Sequence, residues 1–412
     1  MLSAVLSVRS LLLSVFLLAA GSGFMATLVS LQLEASGTSP LLIGPVATAY
    51  FVGLTVGSLR VTPVIQRVGH IRAFAAFVSL FSASTLAYAT YENAAFWAGL
   101  RFVDGFCMAG VFVCVESWLN DRAEARSRGT VLAAYMVALY SGQALGQFLL
   151  AVSHEKPSMP FMAASILISL AVLPVVLTRM AGPVIEKRPA LGLRWLFDAS
   201  PLGMIGAGVT GLMLGAFYAL GAVHARRLGL DLPSIAAFMS AVIVGGILLQ
   251  WPIGRLSDLL DRRRVIVGTF AAAALVCAGM AMLGGAGWAL MLLGAAFGGL
   301  TFALYPLCVA HTNDHLSAED RVAASGGLVL AYSVGAAAGP VPASAAMTVA
   351  GPAGLYGFIG LCAAGGLAFA LWRQRRSAPV PSARQQPYQT LPRTTPMSAS
   401  LDPQAPEAGD AG

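Results

Sequence analysis

The chain has 412 residues, of which 57% are hydrophobic and 10% charged, with a formal net charge of +7 at pH 7. Soluble domains carry roughly 25% charged residues, so this composition excludes a water-soluble globular protein and places the chain in a bilayer. The positive balance does not call for a nucleic-acid partner, because the basic residues fall in loops between apolar runs, where they meet anionic lipid.

Apolar runs of about 20 residues, the length that crosses a ~30 Å hydrocarbon core as a helix, occur near 10–33, 41–61, 72–91, 95–118, 129–152, 160–179, 200–223, 234–254, 265–284, 286–310, 324–347 and 352–372. These runs predict an all-α membrane protein with twelve transmembrane helices. Arg9 to Gly23 has the outline of a signal peptide, but its apolar character continues to Leu33, and removing it would reverse the charge bias described next. It is read as the first span. With the N-terminus inside, the outer loops hold only Lys156, Arg226 and Arg227, and every other basic residue except Arg101 falls in a cytoplasmic segment or at a cytoplasmic end. Both termini are therefore expected in the cytoplasm, with the chain spanning a bacterial inner (plasma) membrane.

Gly105 and Gly298, Asn120 and Asn313, Arg128 and Arg321, Gly142 and Gly335, and Gly146 and Gly339 each lie 193 residues apart, and both matched asparagines precede an aspartate. The repeat predicts two six-helix bundles around a central site. The expected domains are 1–180, a polar cytoplasmic connector at 181–199, 200–376, and a tail at 377–412 whose seven prolines among Ser, Gln and Ala read as disordered.

Taken in chain order, Phe24 and Tyr50 are the first polar or aromatic cavity candidates. In the fourth span Arg101 and Asp104 stand three apart on one helix face, between Trp97 and Trp118, which read as interfacial anchors. Ionisable groups at that depth face a cavity or a partner, so they are either a proton-coupling pair or a structural bridge. Glu116 reads as a cytoplasmic gate or surface group.

On the fifth span Tyr140, Gln143 and Gln147 share one face, offering hydrogen bonds to a substrate or between helices, and Gly142 and Gly146 form a close-approach face. Tyr218 and Tyr305 complete the cavity candidates. His311 and His315 flank no further ligand cluster, so no metal site is expected and Asn313 and Asp314 read as a helix end, as Asn120 and Asp121 do. Gly335, Gly339 and Pro340 suggest a bent, closely packed eleventh span. There is no phosphate loop, nucleophile elbow or hydrolytic carboxylate pair, so neither an enzyme nor a cofactor is expected.

The run Gly254-Arg-Leu-Ser-Asp258-Leu-Leu-Asp261-Arg262-Arg263 resembles the loop signature of the major facilitator superfamily, with Leu259 and Asp261 replacing its first basic residue and second glycine. The first-half counterpart keeps Arg67, Gly69 and Arg72 but has Gln66 where the acid would stand. The resemblance implies a cytoplasmic charge latch between bundles from Gly254, Asp258, Arg262, Arg263, Arg67 and Arg72. Arg101-x-x-Asp104-Gly105 resembles the family's fourth-helix signature, associated with proton coupling. Glu116 to Asn120, Arg128-Gly129, Gln250 to Gly254, His311 to Asp314 and Gly335 to Pro340 together resemble its YcaD-like subgroup.

The resemblance implies a monomeric secondary transporter of a small molecule, coupled to protons and working by alternating access in the lipid bilayer. A membrane sensor or scaffold that keeps the fold without moving solute is the alternative, and it would be marked by loss of Asp104 and Asp258, both of which are present.

Overall fold

The computed structural model describes residues 2–124, 126–154, 156–178, 182–183, 192–283, 285, 287–376, 378–381 and 385–402. Residues 181 and 184–191 of the expected connector therefore lie outside the described residues, as does the end of the tail.

Among the described residues every regular element is a helix. The first half contains α1 (Arg9–Ala35), α2 (Pro40–Val68), α3 (His70–Ala87), α4 (Ala94–Arg122), α5 (Arg128–Gly146) and α6 (Met159–Val176). The second contains α7 (Pro201–Arg227), α8 (Leu232–Leu259), α9 (Arg262–Met282), α10 (Trp288–Asn313), α11 (Asp320–Ala350) and α12 (Ala353–Arg376). Eleven of these are long and apolar enough to cross a membrane. The remaining one, α5, is more polar along its length and passes into a 3-10 segment at Gln147–His154.

The helix ends follow local chemistry. Asn93 begins α4 by accepting from the backbone N–H groups of Ala95 and Phe96, and Asp231 begins α8 by accepting from Ser234. Gly69, at φ +87°, ends α2 in a conformation that an L side chain resists. Helix α1 is interrupted at Gly23 and Phe24, and α11 at Gly339 before Pro340, which has no N–H to offer the preceding turn.

Helices pair identically in the two halves: α2 with α4 as α8 with α10, α1 with α5 as α7 with α11, and α3 with α6 as α9 with α12. The repeated glycines make these crossings. A Cβ on Gly105 would sit 2.0 Å from the carbonyl oxygen of Tyr50, and one on Gly298 1.9 Å from that of Val242. In the other pair, a Cβ on Gly142 would lie 2.6 Å from Phe16 O and on Gly335 2.0 Å from Gly208 O, while Gly146 and Gly339 face the carbonyls of Ala20 and Leu212 at 2.3 Å each. Backbone packs directly on backbone, the arrangement small residues permit in membrane helices.

Three expectations need correction. Trp97 and Trp118 are not interfacial anchors, since both are buried, Trp97 against Tyr88 and Phe161 and Trp118 against Phe74 and His70. Both tryptophans lie on the face of α4 that turns into its own bundle, so they meet protein where lipid headgroups were expected. Asn120 and Asp121 do not end α4, which continues to Arg122. Residues 385–402 of the tail, expected to be disordered, lie against both halves, with Leu391 and Leu401 buried in the core. The apolar surface that orders them belongs to the bundles, not to the tail.

The crossings predict that Gly298→Val is destabilising by about 1–3 kcal/mol through overpacking. Thermal unfolding of the purified protein in detergent should show a lower midpoint for Gly298→Val and no shift for Gly99→Ala, whose Cβ would meet open space. Equal midpoints for all three proteins would remove the glycine crossing as a constraint.

Candidate functional site

The halves meet chiefly through α2 with α11, α5 with α8, and α1 with α7. Thr48 of α2 donates to the carbonyl oxygen of Ala337 in α11 at 2.8 Å, and Ser240 of α8 donates to that of Ala144 in α5 at 2.7 Å. These bonds are counterparts under the repeat, since Ala337 stands 193 residues after Ala144 and Ser240 stands 192 after Thr48. Arg227 at the end of α7 pairs with Glu34 at the end of α1 at 2.7 Å, and these two positions also lie 193 apart. Gly44 packs on Pro340 and Ser344 beside them. All of these contacts lie toward the arginine-poor end of the molecule.

Toward the arginine-rich end the halves are separated by the tail. A 3-10 turn at Pro396–Leu401 packs on α4 and α5 of the first half and on α11 of the second. Thr394 and Thr395 donate to the carboxylate of Glu116, which is fully buried and also accepts from the Tyr135 hydroxyl at 3.0 Å. Glu116, read from the sequence as a gate or surface group, is thus neither exposed nor alone. The available signal was a carboxylate inside a long apolar span, which is costly unless it meets partners.

Between the closed end and the tail lies a cluster of aromatic side chains around Arg393, termed the aromatic chamber. Tyr140 of α5 packs on Phe302 of α10 with ring centroids 5.5 Å apart, joining the halves, and Tyr305 meets Tyr332 edge-on at 5.4 Å. Tyr140, Phe302 and Tyr332 stand eleven or twelve residues from the arginine-rich ends of their helices at Arg128, Asn313 and Asp320. At ~1.5 Å per residue this is about 17 Å, near the middle of a ~30 Å core. Arg393 of the tail reaches this level: its guanidinium carbon is 4.1 Å from the Phe302 centroid and 5.7 Å from that of Tyr332, and Nη2 is 3.4 Å from the Tyr218 hydroxyl. Phe302 and Tyr332 were not among the sequence candidates because aromatics in apolar spans usually mark packing.

In the first half, Asp104 is fully buried and accepts from the Tyr88 hydroxyl at 2.7 Å. Arg101 Nη1 is 3.7 Å from the same carboxylate oxygen, beyond hydrogen-bond range, and its guanidinium lies 4.3 Å over the ring of Tyr50. The second carboxylate oxygen of Asp104 has no hydrogen-bond partner among the described residues. Arg101 and Tyr50 therefore join α4 to α2, the helix that carries Thr48.

At the arginine-rich end of the second half, buried Arg262 is held by Asp258 at 3.1 Å and Asp314 at 2.6 Å and donates to the Gln386 carbonyl of the tail. Gln386 N–H and Tyr388 N–H return to Asp314 and Asp258. Asp261 begins α9 and binds Arg263 at 2.8 Å. Partial burial pushes the Asp261 carboxyl up, but hydrogen bonds from Arg263 outweigh it and hold this group below the usual carboxylate range.

Asp258 and Arg262 thus bind within the second half and to the tail, not to the first half, and Arg67 and Arg72 are exposed. The latch implied between bundles is not closed in this conformation, because the tail stands between the halves. Gly254 faces the Tyr388 ring.

The remaining candidates divide between framework and chamber. Gln147 accepts from Thr27 at 3.0 Å and donates to the Gly23 carbonyl at 3.0 Å, tying α5 to the break in α1. It is interhelical, one of the two readings its sequence position allowed. Gln143 is half-buried beside Gly23, and Phe24 is a buried core residue. His315 Nδ1 is bonded to the His311 carbonyl at 2.8 Å, and no group of three or more metal-ligating side chains occurs among the described residues.

Two repeat-related six-helix bundles, closed on each other at one end around a central chamber, define a membrane transporter fold. A family model of the Major Facilitator Superfamily matches residues 11–200 and 202–403, and the chain belongs to that family. It is 34% identical over 340 residues to an uncharacterized MFS-type transporter YcaD of Escherichia coli O7:K1, covering 81% of this chain and 87% of that protein. The fold is similar to that of the nucleoside transporter NupG, with a TM-score of 0.73 at 14% identity, covering 90% of this chain and 99% of that one. It is also similar to an inward-facing, unoccupied bacterial homolog of the human lysosomal transporter Spinster, with a TM-score of 0.68 at 11% identity over 90% of this chain and 95% of that one.

The charge cluster carries its own prediction. Arg262→Met would strand buried Asp314 without a cation, a loss of about 3–5 kcal/mol. The unfolding midpoint of the purified protein should fall markedly, and Asp314→Asn in the same chain should recover part of the loss. A midpoint unaffected by Arg262→Met would show that the cluster is not holding this end together.

Proposed function

We propose that the protein is a secondary active transporter that moves a small solute across a bacterial inner membrane by alternating access, driven by protons. The observation that carries this reading is that contacts related by the repeat close the interface at one end only, with a chamber at mid-depth. A repeat-related pair of closures can open as rigid bundles rock, without either bundle refolding. The positive-inside bias supports a cytoplasmic location for the arginine-rich end, so this state faces inward.

Proton coupling follows from Asp104. Its partners are a phenol and a guanidinium outside hydrogen-bond range, and one oxygen is unsatisfied, so the site can hold a carboxylate or a carboxylic acid. Protonation removes the charge that keeps Arg101 on this side, shifting the load onto Tyr50. Tyr50 is two residues from Thr48, whose bond to Ala337 belongs to the closure. The charge state of Asp104 thereby biases the end that is shut.

Asp104→Asn keeps a side chain of nearly the same shape and removes the titration. In proteoliposomes it should abolish proton-gradient-driven accumulation, with loss of at least tenfold, while leaving solute counterflow within about threefold of wild type. Unchanged gradient-driven accumulation would take Asp104 out of the coupling mechanism.

A further inference from the structure

We propose that the central chamber is a binding site for an organic cation with a delocalised charge, and that Arg393 of the chain's own tail occupies it as a tethered competitor. The inference rests on the transport reading only in assigning this site to the transported solute; the binding chemistry stands on its own geometry.

Arg393 is the chamber's resident charge, and no carboxylate pairs with it among the described residues. Its guanidinium meets the faces of Phe302 and Tyr332 and the hydroxyl of Tyr218. Ring faces carry negative quadrupole charge, and attraction to a cation strengthens when water is excluded. A guanidinium is planar and weakly hydrated, so it gives up water to such a site more readily than an ammonium does. An anion would meet the same ring faces and be repelled.

The next two residues define the rest of the ligand. Thr394 and Thr395 donate their hydroxyls to Glu116, which Tyr135 also holds. Withdrawal of the tail would leave a buried carboxylate short of two donors and an aromatic site without its cation, a costly combination. The solute that best replaces the tail therefore carries a delocalised cation at one end and hydrogen-bond donors, one or two residues' length away, for Glu116. The tail is anchored further out by Gln386 and Tyr388 on Asp314 and Asp258. Tethering from the end of α12 holds Arg393 at a high effective concentration. A free solute binds only in the fraction of molecules whose chamber is vacant, and its apparent affinity falls by that fraction.

The test compares full-length wild type and full-length Arg393→Ala in detergent, using radiolabelled agmatine as a guanidinium probe and benzoate as an anionic aromatic control. Agmatine should bind Arg393→Ala at least tenfold more tightly than wild type. Adding Phe302→Ala should erase that gain and Phe302→Tyr should retain it. Tyr218→Phe, which removes only a hydroxyl, gives a second readout if Phe302→Ala misfolds, with agmatine affinity in the Arg393→Ala background expected to fall about threefold. Agmatine affinity unchanged by Arg393→Ala, or an equal gain for benzoate, would overturn the proposal, the second result reducing the tail to a passive plug.

Counterflow separates this proposal from the transport reading. Tight agmatine binding without counterflow of any solute would keep the cation site and contradict transport. Counterflow of another solute by a protein that does not bind agmatine after Arg393→Ala would do the reverse.

Discussion

The hydrogen bonds from Thr48 to Ala337 and from Ser240 to Ala144 decide which end of the molecule is shut, and the rest of its organisation depends on them. Each is a hydroxyl donating to a carbonyl close to a break in its helix, Ala337 before the interruption at Gly339 and Pro340 and Ala144 before α5 passes into its 3-10 segment. Membrane helices gain little from apolar contact with one another, because lipid tails are equally apolar. A few hydroxyl bonds and one ion pair, Arg227 with Glu34, therefore stand out among the contacts that hold this interface. The glycine crossings do the opposite work: by placing backbone on backbone they make each half a rigid body.

At the arginine-rich end the same logic leaves polar groups to be satisfied. Asp258, Asp314 and Glu116 all receive donors from the tail, and Arg262 gives one to it. A segment that satisfies groups on both halves substitutes for direct contact between them, so the end that carries the loop signature is bridged by residues 385–402 while the opposite end is shut directly. The region between them is aromatic, and on the first half the Tyr50 ring carries the Arg101 guanidinium on its face. The first half thus contributes the buried carboxylates of Asp104 and Glu116, and the second most of the aromatic wall and the buried Arg262–Asp314 pair.

Much of the fold was legible in the sequence because a bilayer imposes a fixed length on each apolar run and a duplication imposes a fixed offset. Gly105, Gly142 and Gly146 with their partners 193 residues on could be located without coordinates, since only a side chain of one hydrogen allows those crossings. The site was legible only in part. Tyr140, Tyr218 and Tyr305 lie at the chamber and Glu116 was placed at a gate or surface, but Phe302 and Tyr332 did not stand out, because periodicity does not tell a cavity face from a packing face in a helix that is apolar all round.

Trp97 and Trp118 misled for a related reason: their spacing fits a membrane thickness, yet both point into the protein from the buried face of α4. The tail was the largest difference. Composition reports whether a segment can bury its own core, and Leu391 and Leu401 bury themselves in a core built by other parts of the chain, with half-buried Arg393 set on its aromatic rings.

The central claim is that the two bundles exchange which end is closed, and paired distance measurements by spin labels in liposomes test it most directly. Labels at exposed Glu92 and Gly285 report the arginine-poor end, and labels at exposed Arg67 and Arg264 report the arginine-rich end, in a background with half-buried Cys362 replaced by serine. Imposing an inward proton gradient should lengthen the first distance while the second shortens in the same population. Two distances that stay fixed, or that change in the same direction, would contradict the account.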